Sequence, residues 1–282
     1  MTVQVLDKSA VQAILPDRVP WGHKGDFGKI LLLCGSVGYT GAAALAARAA
    51  LRAGAGLIYL GVPQPIYPIL AVKLDEPVVF PLPSRDGTLA EAAVPEILDR
   101  LAGCDACLAG PGLGRSAGVL AVMSAVLGHA RCPVVVDADG INVLAAHKDI
   151  LCERTGSTIL TPHDGEFSRL APEASGSRLA QTMTLAKALG AIILRKGHRT
   201  LITDGTAVYE NRTGNPGMAT GGSGDVLSGL LAALLGQGID PLPAAACAAW
   251  IHGAAGDLCA AQLGQYGMTP TDMVEALPRL LK

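Results

Sequence analysis

The chain has 282 residues, half of them hydrophobic and 16% charged, with a net formal charge of −2. So much apolar material builds a large core and excludes a disordered chain, and the near-neutral balance excludes the electrostatic footprint of a nucleic-acid or anionic-membrane partner. Small-molecule chemistry is therefore the expectation. With 4% aromatic residues against 35 glycines and 18 prolines, the interior should pack on Ala, Leu and Val, with tight turns and close backbone approaches. The seven cysteines are scattered and lie mostly in apolar segments, which suits buried thiols in a reducing compartment; the pair Cys104 and Cys107 lacks the second pair that a zinc site needs. The N-terminus has no signal pattern and the apolar run over 42–60 is broken by Arg48 and Arg52, so a cytoplasmic protein without a membrane segment is expected.

In chain order, residues 1–22 read as a short helix from Lys8 to Leu15, stopped by Pro16 and Pro20, and a lead-in to His23-Lys-Gly-Asp-Phe-Gly28. Lys29 to Cys34 is a continuous apolar strand, followed by the glycine turn Gly35-Ser-Val-Gly-Tyr-Thr-Gly41, an Ala-rich helix to Ala53 and a second strand, Leu57 to Val62. That is a βαβ unit, right-handed by default. The alternation continues with a strand over 77–80, a helix over 89–101, a strand over 106–109 and a helix over 116–129. Strands over 133–136 and 158–161, a helix over 178–189 and a strand over 191–194 come next, then a hairpin of 200–203 with 207–210 around Asp204-Gly205. Helices over 224–236, 241–263 and 270–281 close the chain. With no linker and no repeat, residues 1–282 are expected to form one α/β domain: a mostly parallel central sheet with helices on both faces.

In such a sheet, ligands bind beyond the carboxyl ends of the strands, and every notable motif falls at such an end. Gly35–Gly41 is not a dinucleotide fingerprint, because Ser36 stands where the G-x-G-x-x-G frame needs glycine and the next strand ends in Gly61-Val62-Pro63 without an acid. No Walker A loop is present. Gly110-Pro-Gly-Leu-Gly114 follows another strand. Asp137 and Asp139, at the end of the 133–136 strand, would either hold magnesium or cap the short helix that follows. Thr161-Pro-His-Asp-Gly-Glu166 offers a histidine and an acid, although a lone histidine is more often structural. Lys196-Gly-His-Arg-Thr200 combines cation, glycine and hydroxyl, which suits nucleotide phosphates or merely a solvated turn. Lys24 and Arg48 are most simply solvent-facing charges.

The segment Asn215-Pro-Gly-Met-Ala-Thr-Gly-Gly-Ser-Gly-Asp225 runs straight into an apolar helix. Successive backbone N–H groups at a positive helix N-terminus make an anion site, and a carboxylate at its mouth is costly unless it takes a proton there. Taken alone, the same residues read equally well as a helix capped by Ser223 or Asp225.

Together and in this order, these motifs resemble the ADP-dependent NAD(P)H-hydrate dehydratase family of the ribokinase-like superfamily, a three-layer sandwich. The resemblance covers nearly the whole chain: His23–Gly28, Gly35–Gly41, Gly110–Gly114, Asp137–Asn142, Thr161–Glu166, Lys196–Thr200 and Asn215–Asp225. Ser223 stands where the family often has threonine, which keeps a small hydroxyl. The resemblance implies dehydration of the S-form of 6-hydroxy NADH or NADPH, with ADP as co-substrate and Mg2+ as cofactor, releasing AMP and phosphate. It casts Asp225 as the base and Gly222, Ser223 and Gly224 as the phosphoryl-stabilising turn. Lys196, Gly197, His198, Arg199, Thr200 and Gly224 fall on nucleotide positions; Ala42, Gly112, Gly114, His163 and Asp225 fall on substrate positions. Glu166 keeps the acid that the superfamily's sugar kinases hold near magnesium, with His163 replacing their asparagine. A homotetramer and a separate NAD(P)H-hydrate epimerase polypeptide, rather than a fused epimerase domain, complete the expectation. The rivals are an ATP-dependent kinase of a thiazole- or pyridoxal-type hydroxymethyl compound and a nucleotide-binding sensor without turnover.

Overall fold

The computed structural model describes residues 2–152 and 154–281. Its strands are β1 (Val3–Gln4), β2 (Lys29–Leu33), β3 (Leu57–Pro63), β4 (Val78–Leu82), β5 (Ser84–Arg85), β6 (Thr88–Leu89), β7 (Ala106–Ala109), β8 (Val134–Val136), β9 (Thr158–Leu160), β10 (Ile192–Arg195), β11 (Thr200–Thr203) and β12 (Val208–Asn211). The helices are α1 (Lys8–Ile14), α2 (Thr40–Arg52), α3 (Tyr67–Lys73), α4 (Val94–Leu101), α5 (Ala117–His129), α6 (Asp139–Leu144), α7 (Asp149–Cys152), α8 (Asp164–Leu170), α9 (Arg178–Leu189), α10 (Ser223–Gly236), α11 (Pro241–Leu263) and α12 (Pro270–Ala276).

Ten strands form one sheet in the order β1-β12-β11-β10-β9-β8-β7-β2-β3-β4, parallel throughout except for the antiparallel pairs of β11 with β10 and β12. From β2 the chain moves outward through β3 and β4, then returns to lay β7 on the other side of β2 and continues to β8, β9 and β10. The order therefore reverses between β2 and β7, and the crevice beyond the carboxyl ends there is where an open α/β sheet takes ligands.

Alternate residues of each strand feed two cores. Ile30 and Leu32 of β2, Leu108, Val135, Ile159 and Leu194 pack under α2, α10, α11 and α12. Leu31 and Leu33, Cys107, Val134, Val136 and Ile193 pack under α4, α5, α8 and α9. The expected mostly parallel sheet with helices on both faces is thus present. Helix α10 is buried from Val226 to Gly236 because it lies between α2, α11 and strands β2, β7 and β8. Small residues make this layer possible: a Cβ on Gly229 would run into the Ala46 carbonyl of α2.

Several short elements differ from the expectation. β1, α3, the β5–β6 hairpin, α7 and α8 are additional, and the helix expected over 89–101 is α4 preceded by β6 and a 3-10 turn at Glu91–Ala93. The last helix stops at Ala276 and continues as a 3-10 turn over Leu277–Arg279, since Pro278 has no N–H with which to extend it. Arg48 is half-buried and donates to the Lys73 carbonyl at 3.0 Å, while Lys24 is exposed. No helix among the described residues is long and apolar enough to cross a membrane.

Candidate active site

The N-terminus of α10 is uncapped by any side chain. Gly222 precedes it at φ +98°, and a Cβ there would press on Leu45 and Pro270, so both the dihedral and the space demand glycine. Ser223 and Asp225 are the first and third residues of the helix, and neither caps it. The capped-loop reading of this stretch therefore fails; the Ser223 N–H donates to the Thr220 carbonyl at 3.4 Å, and the positive end of the 14-residue helix keeps the N–H groups of Gly224 and Asp225 for a ligand.

Against this end stand the termini of β8 and β10. Asp137, 1% exposed, follows β8 and accepts from Lys196 Nζ at 2.7 Å and from the Ala138 N–H at 2.9 Å, both on Oδ1. Glu166, also buried, brings Oε2 to 3.9 Å from the same ammonium. A Cβ on Gly224 would lie 3.3 Å from Lys196 Nζ and 3.8 Å from Asp137 Oδ2, so the ion pair abuts the first turn of α10. Burial, then the charge of Asp137, push the Asp225 carboxyl up to about 7, with Lys196 opposing them. Burial alone would depress Lys196, but Asp137, Glu166 and Asp225 outweigh it and raise its pKa, so the ammonium stays charged. A carboxylate that exchanges its proton near neutrality beside an open anion site has the attributes of a general base.

The Lys196–Thr200 turn is held from behind. Arg178 donates to the carbonyls of Arg195 (3.1 Å), Lys196 (2.9 Å) and Arg199 (2.9 Å). Gly197 at φ +141° and Arg199 at φ +55° supply the bends. Asp164 accepts from Arg195 at 2.7 Å and from Arg178 at 3.4 Å; these cations outweigh burial and lower its pKa. Thr200 Oγ1 donates to the Gly197 carbonyl, and His198 is exposed. The candidates from Lys196 to Thr200 thus form one contiguous turn on a fixed base, with Gly224 of α10 facing Lys196 across it.

His163 has the structural role that a lone histidine suggests: its Nδ1 accepts from the N–H groups of Gly165 (3.0 Å) and Glu166 (3.2 Å), capping α8, while Glu166 Oε2 accepts from the His163 N–H. The ring is still 56% exposed and keeps its proton on Nε2. At the switch point the two glycine turns are stitched together, with the Gly35 N–H donating to the Pro111 carbonyl and Ser36 Oγ to the Gly112 carbonyl, both at 2.7 Å. Gly112, at φ +63°, lies against Tyr39 and Ala42, where a Cβ would come within 2.9 and 3.1 Å of theirs. Gly114 sits further out, beside Thr88 of the hairpin, and its N–H donates to Asp139 at 3.0 Å. Asp139 also accepts from Arg115, so its carboxylate is occupied in holding this turn.

From Ala42 beyond β2 to Lys196 beyond β10 is four strand spacings, about 19 Å at ~4.8 Å each. The strand-end motifs accordingly line one crevice, with Asp137 and Asp225 in its middle, whereas His23–Gly28 precedes β2 and its Gly28 packs against Gly236 at the other end of α10. Sequence reasoning missed Arg178 and Asp164, which are ordinary helix-start charges in the sequence. Among the described residues no three His, Cys, Asp or Glu side chains converge to hold a metal by themselves.

The chain matches the family description NAD(P)H-hydrate dehydratase over residues 30–279. It is 45% identical over 95% of its length to a bifunctional NAD(P)H-hydrate repair enzyme from Moorella thermoacetica, of which it covers 52%. It is 35% identical to an ADP-dependent (S)-NAD(P)H-hydrate dehydratase from Neisseria meningitidis, covering 84% of this chain and 78% of that one. Among solved structures, the ADP/ATP-dependent NAD(P)H-hydrate dehydratase from Bacillus subtilis, co-crystallised with ATP and Mg2+, superposes with a TM-score of 0.82 at 31% identity, covering 99% of this chain and 98% of that one. The chain spans about half the length of the bifunctional relative it matches. On the breadth of the family match and the identity of these relatives, the chain belongs to the NAD(P)H-hydrate dehydratase family.

Proposed function

We propose that this chain dehydrates the S-form of 6-hydroxy NADH or NADPH at the expense of ADP, and that Asp225 is its base. The observation that carries the reading is a carboxylate in the first turn of the uncapped helix α10, facing the Lys196–Asp137 pair, where burial and Asp137 push its pKa up to about 7. The names of the Neisseria and Bacillus relatives support the substrate and the nucleotide.

Asp225 takes the proton of the C6 hydroxyl as its oxygen attacks the β-phosphorus of ADP; the O–P bond forms and the bridging P–O bond breaks, releasing AMP. The N–H groups of Gly222, Gly224 and Asp225 donate to the transferring phosphoryl, and Lys196 offsets its charge. The ring nitrogen's lone pair then expels phosphate from C6, and loss of a C5 proton restores the C5–C6 double bond. Lys196, Gly197, His198, Arg199, Thr200 and Gly224 hold the nucleotide, while Ala42, Gly112, Gly114 and His163 hold the hydrated dinucleotide.

The buried carboxylates Asp137 and Glu166 fit magnesium, a hard cation that takes one or two protein carboxylates and completes its shell with phosphate oxygens and water. Bound there with the nucleotide, the ion would neutralise charge building on the phosphoryl oxygens. The resemblance further supports a cytoplasmic homotetramer in which one folded domain, residues 1–282, carries the dehydratase, with epimerisation the work of another segment or polypeptide.

The test incubates the pure protein with hydrated NADH, Mg2+ and either ADP or ATP and follows the return of reduced-nicotinamide absorbance. Recovery with ADP is expected. No recovery with either nucleotide would sink the reading, and recovery with ATP alone would correct its co-substrate.

A further inference from the structure

His252 lies in the middle of α11, buried beneath the first turn of α10, outside every motif that the proposed chemistry uses. Its Nε2 is 2.9 Å from the Ser223 carbonyl oxygen and 3.3 Å from Ser223 Oγ. A carbonyl only accepts, so Nε2 carries the ring's hydrogen and has no lone pair left to receive one. Ser223 Oγ can therefore only accept from His252. Its own hydrogen is excluded from that contact and is left for another acceptor.

We propose that His252 is a positioning residue for the phosphoryl site: through its Nε2–H it fixes the first residue of α10 and leaves the Ser223 hydroxyl as a donor to a phosphate oxygen. This role rests on the reading of the α10 terminus as the phosphoryl site. Two further observations agree with it. Burial, then the nearby Lys196 charge, against the hydrogen bond to Ser223, hold His252 down to about 4, so the ring is neutral across the physiological range and adds no charge to the anion site. The rest of the glycine-rich segment is fastened to the same helix: Asn211 and Thr213 donate to the carbonyls of Ala249 and Trp250, and Gly214 and Asn215 to the carboxylate of Asp257. Helix α11 is thus the template on which residues 211–225 are shaped, and His252 is its contact nearest Asp225 in the chain.

The experiment compares His252→Ala, His252→Gln, Ser223→Ala and the His252→Ala/Ser223→Ala double variant of the full chain, titrated with ADP and Mg2+ by calorimetry and assayed for dehydration of hydrated NADH. Glutamine places an amide N–H where histidine has Nε2–H. His252→Ala and Ser223→Ala should each weaken ADP about fivefold and lower kcat about tenfold, the double variant should be no worse than the worse single one, and His252→Gln should recover most of the loss. A His252→Ala protein with a lowered Tm but unchanged ADP affinity and kcat would overturn the proposal, as would multiplying losses in the double variant. If His252→Ala does not fold, His252→Gln against Ser223→Ala carries the test, and a folded glutamine variant that binds ADP fivefold more weakly overturns it. Absence of turnover in the wild-type protein counts against the dehydratase reading alone, because the ADP titration still reads His252.

Discussion

Lys196 Nζ lies 2.7 Å from Asp137 Oδ1 and 3.9 Å from Glu166 Oε2, one ammonium serving two buried carboxylates. Lys196 and Asp137 directly follow β10 and β8, and Glu166 lies in the first turn of α8 after β9, so the pairing closes the crevice floor across adjacent strands. Its cation is also the one proposed to hold the nucleotide, and on that proposal the resting pair competes with the phosphates for Lys196.

Lys196→Met should therefore do two things. It leaves two buried carboxylates without their cation, and breaking a buried pair from one side costs about 3 kcal/mol. It also removes a phosphate donor, for which an ADP affinity loss of at least about tenfold is expected, the magnitude of one charge-assisted contact. Urea melts and ADP titration check both. A variant as stable as the parent would mean that water already solvates Asp137 and Glu166.

The pH profile follows from Asp225. As a base it must be ionised, so kcat/KM for the hydrated dinucleotide should rise with pH and level off above a pKa near 7. The negative charge of Asp137 is part of what raises that value, so Asp137→Asn should move the acid limb to lower pH; it also frees Lys196, which acts in the same direction. A limb that stays in place in the variant would mean that burial alone sets it.

The order of the elements was legible because buried strands such as Lys29–Leu33 and Val134–Val136 are short apolar runs followed by glycine or acid. Helices α3 and α8 were not: Tyr67–Lys73 carries a proline in its first turn, and Asp164–Leu170 begins Asp-Gly-Glu, so neither presents an apolar period over more than a turn or two. In the site, each strand-end motif was visible singly. The bond between Lys196 and Asp137 joins residues 59 apart, and Arg178 serves the nucleotide turn by binding carbonyls, a role for which no residue type is diagnostic. Asp137 was legible as a carboxylate with two uses, magnesium ligand or helix cap; its lysine partner was not.

Asp225→Asn should stabilise the protein while abolishing turnover. The carboxyl's folded pKa near 7 exceeds its ordinary 3.8, so the folded state holds a proton that the unfolded chain releases as pH rises. Stability is thus lost between those two values and the penalty is complete above neutrality. Full linkage over about three units is roughly 4 kcal/mol, and partial exposure reduces the expectation to about 2. The difference in Tm between variant and parent should be near zero at pH 4 and grow to several degrees at pH 8. A difference independent of pH would show that the carboxylate is not strained by its surroundings, and with it the argument for a base at neutrality would fall.

Ala138 stores strain between two carboxylates, Asp137 and Asp139. It sits at φ +50°, ψ −116°, a conformation that suits glycine, directly after Asp137, which faces Lys196, and before Asp139, which holds the Gly114 turn. Strain of this kind costs about 2 kcal/mol, and glycine would relieve it at an entropic cost of about 0.7 kcal/mol in the unfolded chain. Ala138→Gly should accordingly gain about 1 kcal/mol in urea unfolding with an unchanged m-value. The same freedom lets Asp137 and Asp139 move independently, so kcat/KM should fall several-fold even as stability rises. A variant less stable than the parent by 1 kcal/mol or more would mean that neighbouring contacts accommodate Ala138 without strain.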